Sequence, residues 1–192
     1  MRNKAVFVDR DGTINANLGY IDDPNDLKIY PSVAKGIKIL KENGFKIIVI
    51  TNQSGITRGY FSEEILEKVH QKMKNELSKK GASIDAIYYC PHHPNDGCNC
   101  RKPNTGLFQQ AIRELNIDVK RSFIIGDRML DVEAGYKIGC KTVLVPENKE
   151  KVEKEMEESN IEPDYICDDF YSGAKWILTV SQNNRKSYRI TD

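Results

Sequence analysis

The sequence predicts an α/β protein built on an open parallel sheet with helices on both faces. Three observations predict it. Short apolar runs alternate with helix-period segments along most of the chain. The run "KIIVIT" at Lys46–Thr51 is apolar and β-branched almost throughout, as a strand buried on both faces should be. Residues suited to chemistry follow the runs directly, where open α/β sheets bind their ligands.

Ala5–Val8 is the first strand. "SVAKGIKILKENG" is a helix with Ser32 as N-cap, Gly44 as its stop, and Val33, Gly36, Ile37 and Leu40 at helical spacing. Lys46–Thr51 is the second strand. "SEEILEKVHQKMKNELSKKG" is the next helix, capped by Ser62, with Glu63 and Glu64 in its first turn and Ile65, Val69, Met73 and Leu77 as its inner stripe. His70, elsewhere on this helix, reads as exposed or half-buried. "IDAIYY" is a strand, "TGLFQQAIRELN" a helix, "SFIIG" a strand, "MLDVEAGYKIG" a helix and "KTVLV" a strand. "ENKEKVEKEMEESN" is charged almost throughout and reads as a solvated helix or linker. "DYICD" is a last strand, followed by a short helix around Ala174–Leu178. Residues 1–180 then form one domain, and the polar segment 181–192 a loosely held tail.

Length and charge bound the possibilities. A chain of 192 residues suits one domain. A net charge of +1 gives no global reason to bind nucleic acid or an anionic membrane. No run is long enough to span a bilayer, and the apolar stretch in "MRNKAVFVDRDG" is too short for a signal peptide. Three of the five cysteines fall within eleven residues, which favours a metal site over a disulfide framework. The expectation is a cytoplasmic monomer acting on a small molecule, with no nucleic-acid or membrane partner.

The strand ends carry the chemistry. Asp9 and Asp11 follow the first strand in "DRDGT". Two carboxylates so close repel, so one must protonate or both must share a cation. Thr51 ends the second strand in "TNQSG", the third leads through a cysteine-rich loop to "RKP", and the fourth ends in "GDRMLD". Mg²⁺ takes oxygen ligands from a few carboxylates plus substrate phosphate, which would reconcile the pair. The plain alternative for Asp9 and Asp11 is a capped turn after a strand.

These four motifs, in this order, resemble the haloacid dehalogenase superfamily of phosphatases over roughly Ala5–Val145. The resemblance implies a Rossmann-like fold and a role for each residue. Asp9 would attack phosphorus and become an aspartyl phosphate. Asp11 would protonate the leaving oxygen and then take a proton from the hydrolytic water. The Asp9 side chain, the Asp11 backbone carbonyl and Asp127 would hold Mg²⁺. Thr51 and Lys102 would bind the transferring phosphoryl oxygens. Asp131, one helical turn beyond Asp127, reads equally as a partner of that site or as an ordinary acid at a helix N-terminus.

"CPHHPNDGCNCRKP" offers three thiolates and an imidazole, a closed structural Zn²⁺ set: Cys90, Cys98 and Cys100 with His92 or His93. Cys140 and Cys167 read as small core residues. A zinc loop running into "RKP" is similar to two sister groups of the superfamily, the D-glycero-D-manno-heptose 1,7-bisphosphate 7-phosphatases and the histidinol-phosphatases. Their pattern favours His92 as the fourth ligand. "NLGYI", "TNQSGITRGYF" and "RKPNTGLF" resemble the heptose group more. The segments after Asp9 and after Thr51 are too short for a cap domain, so the expected fold is capless, its open site closed by loops at Asn17–Tyr20 and Ser54–Tyr60 and by the zinc loop. The resemblance to the heptose group implies removal of the 7-phosphate to leave heptose 1-phosphate for nucleotide-heptose and bacterial surface glycan synthesis. Asn17, Gly19, Tyr20, Asn52, Gln53, Ser54, Arg101 and Arg128 would contact substrate, and Arg58 is a further cation. The competing readings are a histidinol-phosphate phosphatase, a phosphatase acting on nucleic-acid ends, and a non-catalytic zinc-loop binding module.

Overall fold

A computed structural model describes residues 2–187. Six parallel strands form one sheet in the order β3-β2-β1-β4-β5-β6. They are β1 (Lys4–Val8), β2 (Phe45–Asn52), β3 (Ala86–Cys90), β4 (Phe123–Gly126), β5 (Lys141–Leu144) and β6 (Tyr165–Ile166). The helices are α1 (Pro31–Glu42), α2 (Glu63–Lys79), α3 (Gly106–Glu114), α4 (Met129–Ile138), α5 (Lys149–Glu157) and α6 (Phe170–Ser187).

Side chains along a strand alternate between faces, so each central strand feeds two cores. From β1, Val6 and Val8 join Ile47, Val49, Phe123 and Ile125 against α1, α2 and α6, through residues such as Ile37, Val69, Met73 and Phe170. Ala5 and Phe7 join Ile48, Ile50 and Ile124 against Phe108 and Ala111 of α3 and Ala134 of α4. Phe7 and Phe108 meet edge-on at 5.3 Å. Every residue of β1 is buried, which explains a run with no polar alternation.

The elements read from sequence recur here with shifted ends. Ser62 caps α2 by accepting from the Ile65 amide at 3.3 Å. Helix α1 starts one residue before Ser32, at Pro31, with Tyr30 as N-cap; proline's fixed φ suits that first position and its missing N–H costs nothing there. The charged segment after β5 forms α5, and it is docked: Val152 is buried with Met129, Val132 and Leu144. The C-terminal helix is much longer than expected, and residues 181–187 of the expected tail continue it as α6. The rest of the expected tail lies outside the described residues. Among those described, no helix is long and apolar enough to cross a membrane.

Candidate active site

The strand order reverses between β1 and β4: β1 leads to β2 on one side and β4 to β5 on the other. The crevice beyond the carboxyl ends at such a reversal is the natural ligand site of an open sheet. Asp9 follows β1 and Asp127 follows β4. The Asp9 amide donates to the Ile125 carbonyl at 3.0 Å, which locks the two strand ends together. Two glycines let carboxylates close in. Gly12 has φ +85°, and a Cβ there would lie 2.3 Å from Asp127 Oδ2. A Cβ on Gly126 would lie 2.3 Å from the Asp131 side chain. Any larger residue would push a carboxylate out of the cluster.

Lys102 reaches this crevice from the segment after the cysteine loop. Its Nζ lies 2.7 Å from Asp9 Oδ1 and 2.7 Å from Asp131 Oδ1, and its side chain is 1% exposed. Burial favours loss of the Lys102 proton, but Asp131 and Asp9 outweigh it and raise its pKa. Asn52 holds the lysine's backbone at both ends: Oδ1 accepts from the Lys102 amide at 3.0 Å, and Nδ2 donates to its carbonyl at 3.1 Å. Asn52, expected to contact substrate, is therefore occupied in placing Lys102.

The carboxylates of Asp9, Asp127 and Asp131 offer oxygens within 4.8 Å of one another. Three carboxylates facing one ammonium leave two negative charges. The protein alone relieves this by protonation. Burial, then Asp9 and Asp131, push the Asp127 carboxyl up to about 9. Burial raises Asp131 to about 6, with Lys102 pulling the other way and Asp9 adding to the rise. A hard divalent cation does the same work without a proton, and an all-oxygen donor set of this charge fits Mg²⁺. Asp131 thus belongs to the site and is more than a helix N-terminal acid.

Asp11 lies outside this cluster and has its own cation. Arg10 Nη2 donates to Asp11 Oδ2 at 2.7 Å and to Oδ1 at 2.9 Å, and Nε donates to Oδ1 at 3.0 Å. Gln53 Nε2 donates to Asp11 Oδ2 at 2.8 Å and Asn15 Nδ2 to Oδ1 at 3.0 Å. The same Gln53 nitrogen lies 2.8 Å from Thr51 Oγ1. Like charges in "DRDGT" are tolerated because Asp9 is paired with Lys102 and Asp11 with Arg10. Arg10 was not among the residues singled out from sequence. His70, expected exposed or half-buried, is 2% exposed and sits with Nε2 3.4 Å from Arg10 Nη1. Burial, then the nearby guanidinium, lowers its pKa to about 3, so it is neutral. Its sequence signal was position: it follows Leu66 by four residues and precedes Met73 by three, inside the buried stripe of α2.

The remaining expected residues form the rim. The Asn17 amide donates to Glu147 Oε1 at 2.9 Å, and Asn17 Oδ1 accepts from the Gly19 amide at 3.2 Å. The Tyr30 hydroxyl donates to the same Glu147 oxygen. Tyr20 meets Tyr60 across the two loops at 4.5 Å, and Leu18 beside them is exposed. Ser54 is buried, and its carbonyl accepts from the Arg58 amide at 3.0 Å. Arg128, expected at the substrate, is held by Glu155 of α5. The charged helix that supplies this acid is docked against the domain, whereas its composition suggests a simply solvated one.

The cysteine loop closes on itself. Cys100 Sγ lies 3.0 Å from Cys90 Sγ, 3.4 Å from Cys98 Sγ and 3.1 Å from His92 Nδ1. Cys90 Sγ lies 3.6 Å from both Cys98 Sγ and His92 Nδ1. Four ligands around tetrahedral zinc stand roughly 3.5–3.8 Å apart, so this is that tetrahedron slightly contracted, and the donor set fits Zn²⁺. His92, the histidine the family pattern favours, is the one that lies among the thiols. His93 instead caps the next turn, with Nδ1 accepting from the Asn95 amide at 3.2 Å. Arg101 leaves the loop with Nη1 3.5 Å from the His92 carbonyl. Cys140 is buried in the core shared with α3 and α4, as expected, whereas Cys167, expected in the core, is only partly buried and packs against the core on the other face of the sheet.

A parallel sheet with this strand order, carrying an aspartate cluster and a buried lysine at its reversal, defines a hydrolase of the haloacid dehalogenase type. A family model described as HAD-hydrolase-like matches residues 99–172. The chain is 44% identical over 157 residues to the D-glycero-beta-D-manno-heptose-1,7-bisphosphate 7-phosphatase of Haemophilus ducreyi, covering 78% of this chain and 86% of that one. It is 37% identical to the D-glycero-D-manno-heptose-1,7-bisphosphate 7-phosphatase of Chlorobaculum tepidum, covering 95% and 98%. Its fold matches the D,D-heptose 1,7-bisphosphate phosphatase of B. bronchiseptica, solved with magnesium and phosphate, with a TM-score of 0.83. That match is at 31% identity over 92% of this chain and 98% of that one. The chain belongs to the D-glycero-D-manno-heptose-1,7-bisphosphate 7-phosphatase family.

Proposed function

We propose that this protein removes the 7-phosphate of D-glycero-D-manno-heptose 1,7-bisphosphate and leaves heptose 1-phosphate, which feeds nucleotide-heptose and surface glycan synthesis. One observation carries the chemistry: the two carboxylates of "DRDGT" have separate cationic partners, Lys102 for Asp9 and Arg10 for Asp11. Two differently placed carboxylates suit two jobs, nucleophile and proton carrier. A binding module needs no such division.

In the first step an Asp9 oxygen attacks phosphorus, the bond from phosphorus to the C7 oxygen breaks, and Asp11 delivers its proton to the departing oxygen. In the second, water attacks the aspartyl phosphate, Asp11 takes the water's proton, and the bond to Asp9 breaks to release phosphate. Asp9, the Asp11 carbonyl and Asp127 would hold Mg²⁺, which neutralises charge on the phosphoryl group when bound. Lys102 and the Thr51 hydroxyl bind the phosphoryl oxygens, and Asp131 orients Lys102. Cys90, His92, Cys98 and Cys100 would hold Zn²⁺, which fixes the loop that ends in Arg101.

The second phosphate needs a cation away from Asp9. An open cavity of about 450 Å³ beside Gly12 and Thr13 does not offer one, because Glu147, Asp168 and Asp169 wall it. Arg101, on the zinc-loop side, does. We assign the non-reacting phosphate to Arg101 and the sugar to the rim of Asn17, Gly19, Tyr20 and Ser54. Asn52, Gln53 and Arg128 act through the neighbours they bind. The enzyme is a cytoplasmic monomer in this reading. Steady-state rates on both anomers of the heptose bisphosphate, on matched monophosphates and on histidinol phosphate test it. The bisphosphate should have the highest specificity constant, and Arg101→Ala should remove part of its advantage over monophosphates. Comparable rates on histidinol phosphate would defeat the substrate assignment.

A further inference from the structure

We propose that Arg10, braced by His70, is the positioning residue that holds Asp11 for both proton transfers; the proposal rests on the phosphatase reading above. Arg10 is 1% exposed, the largest fully buried side chain among the described residues. A buried guanidinium is costly to desolvate, and an apolar side chain of similar volume would often do as well for stability. Its surroundings point to a placement role. Three of its contacts go to the two oxygens of Asp11, in the planar forked geometry that only arginine offers. Its Nη2 also donates to Gln53 Oε1 at 3.2 Å, and the Gln53 amide returns to Asp11 and Thr51. The clamp therefore links the end of β1 to the end of β2.

His70 supplies the third wall. Arginine has no acceptor, so the contact from Nη1 requires Nε2 of His70 to be the unprotonated nitrogen. The ring is then the neutral tautomer with its proton on Nδ1. Helix α2 thereby fixes the far side of the guanidinium. Asp11 receives only donors, from Arg10, Gln53 and Asn15, yet its side chain keeps 18% of its exposure. That opening is where a leaving oxygen or an attacking water can meet it. Without Arg10 the carboxylate loses three of its five donor contacts and keeps only those of Gln53 and Asn15, while Asp9, Lys102 and the carboxylate cluster keep theirs.

The test separates positioning from plain structure. Arg10→Met, Arg10→Lys, His70→Leu and His70→Gln are compared with wild type on a sugar phosphate and on p-nitrophenyl phosphate, with radiolabelled phosphoenzyme counted after acid quench. An alkoxide leaving group needs a proton and p-nitrophenolate does not. On the sugar phosphate, Arg10→Met should lose turnover by roughly 10²-fold, the scale of one acid–base residue, with little change in KM. On p-nitrophenyl phosphate the first step is spared and the second is not, so a burst should appear and phosphoenzyme should accumulate. Arg10→Lys should fall between, and His70→Gln, which keeps an acceptor, should retain more turnover than His70→Leu. Undiminished turnover in Arg10→Met overturns the proposal, as does a loss with no accumulation on the aryl substrate. If Arg10→Met does not fold, equal turnover in the two His70 variants overturns it. Wild-type protein active on the aryl phosphate but not on the heptose bisphosphate defeats the substrate assignment alone, and the clamp is still decided on the aryl phosphate. Wild-type protein inert on every phosphate overturns both readings.

Discussion

The carboxylate crevice and the cysteine loop are both metal-shaped, but they are assembled in opposite ways. The loop gathers four ligands from eleven consecutive residues, Cys90–Cys100, and its donors contact one another directly. The crevice gathers Asp9, Lys102, Asp127 and Asp131 from three segments far apart in sequence, and holds them with anchors of its own. Asn52 pins the Lys102 backbone and two carboxylates hold its ammonium. The guanidinium of Arg101, one residue earlier, makes a long contact at 3.5 Å to the His92 carbonyl of the zinc loop. Loop and crevice therefore join at Arg101–Lys102, and the proposed function divides between them, with substrate selection assigned to the loop and chemistry to the sheet.

The largest expected effect tests the crevice. Asp9→Asn keeps the shape and removes the attacking oxygen, so turnover should fall by more than about 10³-fold. Thermal unfolding should change little, and no labelled phosphoenzyme should be trapped. Near wild-type turnover in Mg²⁺ would end the covalent mechanism and leave the crevice a binding site only.

Next in size is the loop. Cys98→Ser should lower bound zinc below one ion per chain and cost roughly 10–100-fold in kcat/KM, the scale of a disturbed ligand shell. The loss should sit mainly in KM, because Arg101 loses its support while Lys102 keeps Asn52, Asp9 and Asp131. Equal losses in kcat would show that the crevice depends on the loop after all. Metal analysis of protein purified without chelator gives the reference, and zinc-free wild type would remove the comparison's premise.

The same contrast explains what could be read from sequence. Four ligands packed into one loop announce themselves, and the family pattern's choice of His92 over His93 agrees with a fold in which His93 caps a turn. The crevice was legible through strand-end motifs, since buried parallel strands fix where their last residues point. Arg10, Glu155 and His70 were not. Arg10 lies between two aspartates and reads as a loop charge, while one of its partners stands sixty residues on. Glu155 sits in a segment so charged that nothing marked it as the partner of Arg128. The full length of α6 is not legible in sequence, because its polar end carries no apolar stripe.

A smaller effect probes the wall behind the crevice through pH. His70 has its pKa lowered to about 3 when folded, by burial first and Arg10 second, against 6.5 when free. Between those values the unfolded chain binds a proton that the folded protein refuses. Its contribution to stability is therefore full above about pH 6.5 and declines as pH falls toward 3, by at most about 1.4 kcal/mol per pH unit. Urea titrations from pH 6.5 down to 4.5 should show a shallower acid decline in His70→Gln than in wild type. Parallel declines would mean that His70 is protonated or exposed in the folded protein, and would weaken the wall it provides for Arg10.

The smallest effect concerns Arg128, a rim cation paired with an acid. Arg128 follows Asp127 directly, but Glu155 of α5 binds its guanidinium, and the other Glu155 oxygen accepts from the Met129 amide at 3.2 Å. The pair is partly exposed, so its net worth is below about 1 kcal/mol. Glu155→Gln should therefore shift the unfolding midpoint by only a few degrees at most. Its kinetic effect has a definite sign. The guanidinium loses its carboxylate while remaining beside a site that binds phosphate, so inhibition by inorganic phosphate should tighten modestly, and the gain should shrink with added salt. The zinc content and the preference for a bisphosphate should stay put, since both lie on the Arg101 side. A changed bisphosphate preference with unchanged phosphate inhibition would instead place Arg128 with Arg101 in substrate selection, and would move the boundary between loop and sheet across the crevice.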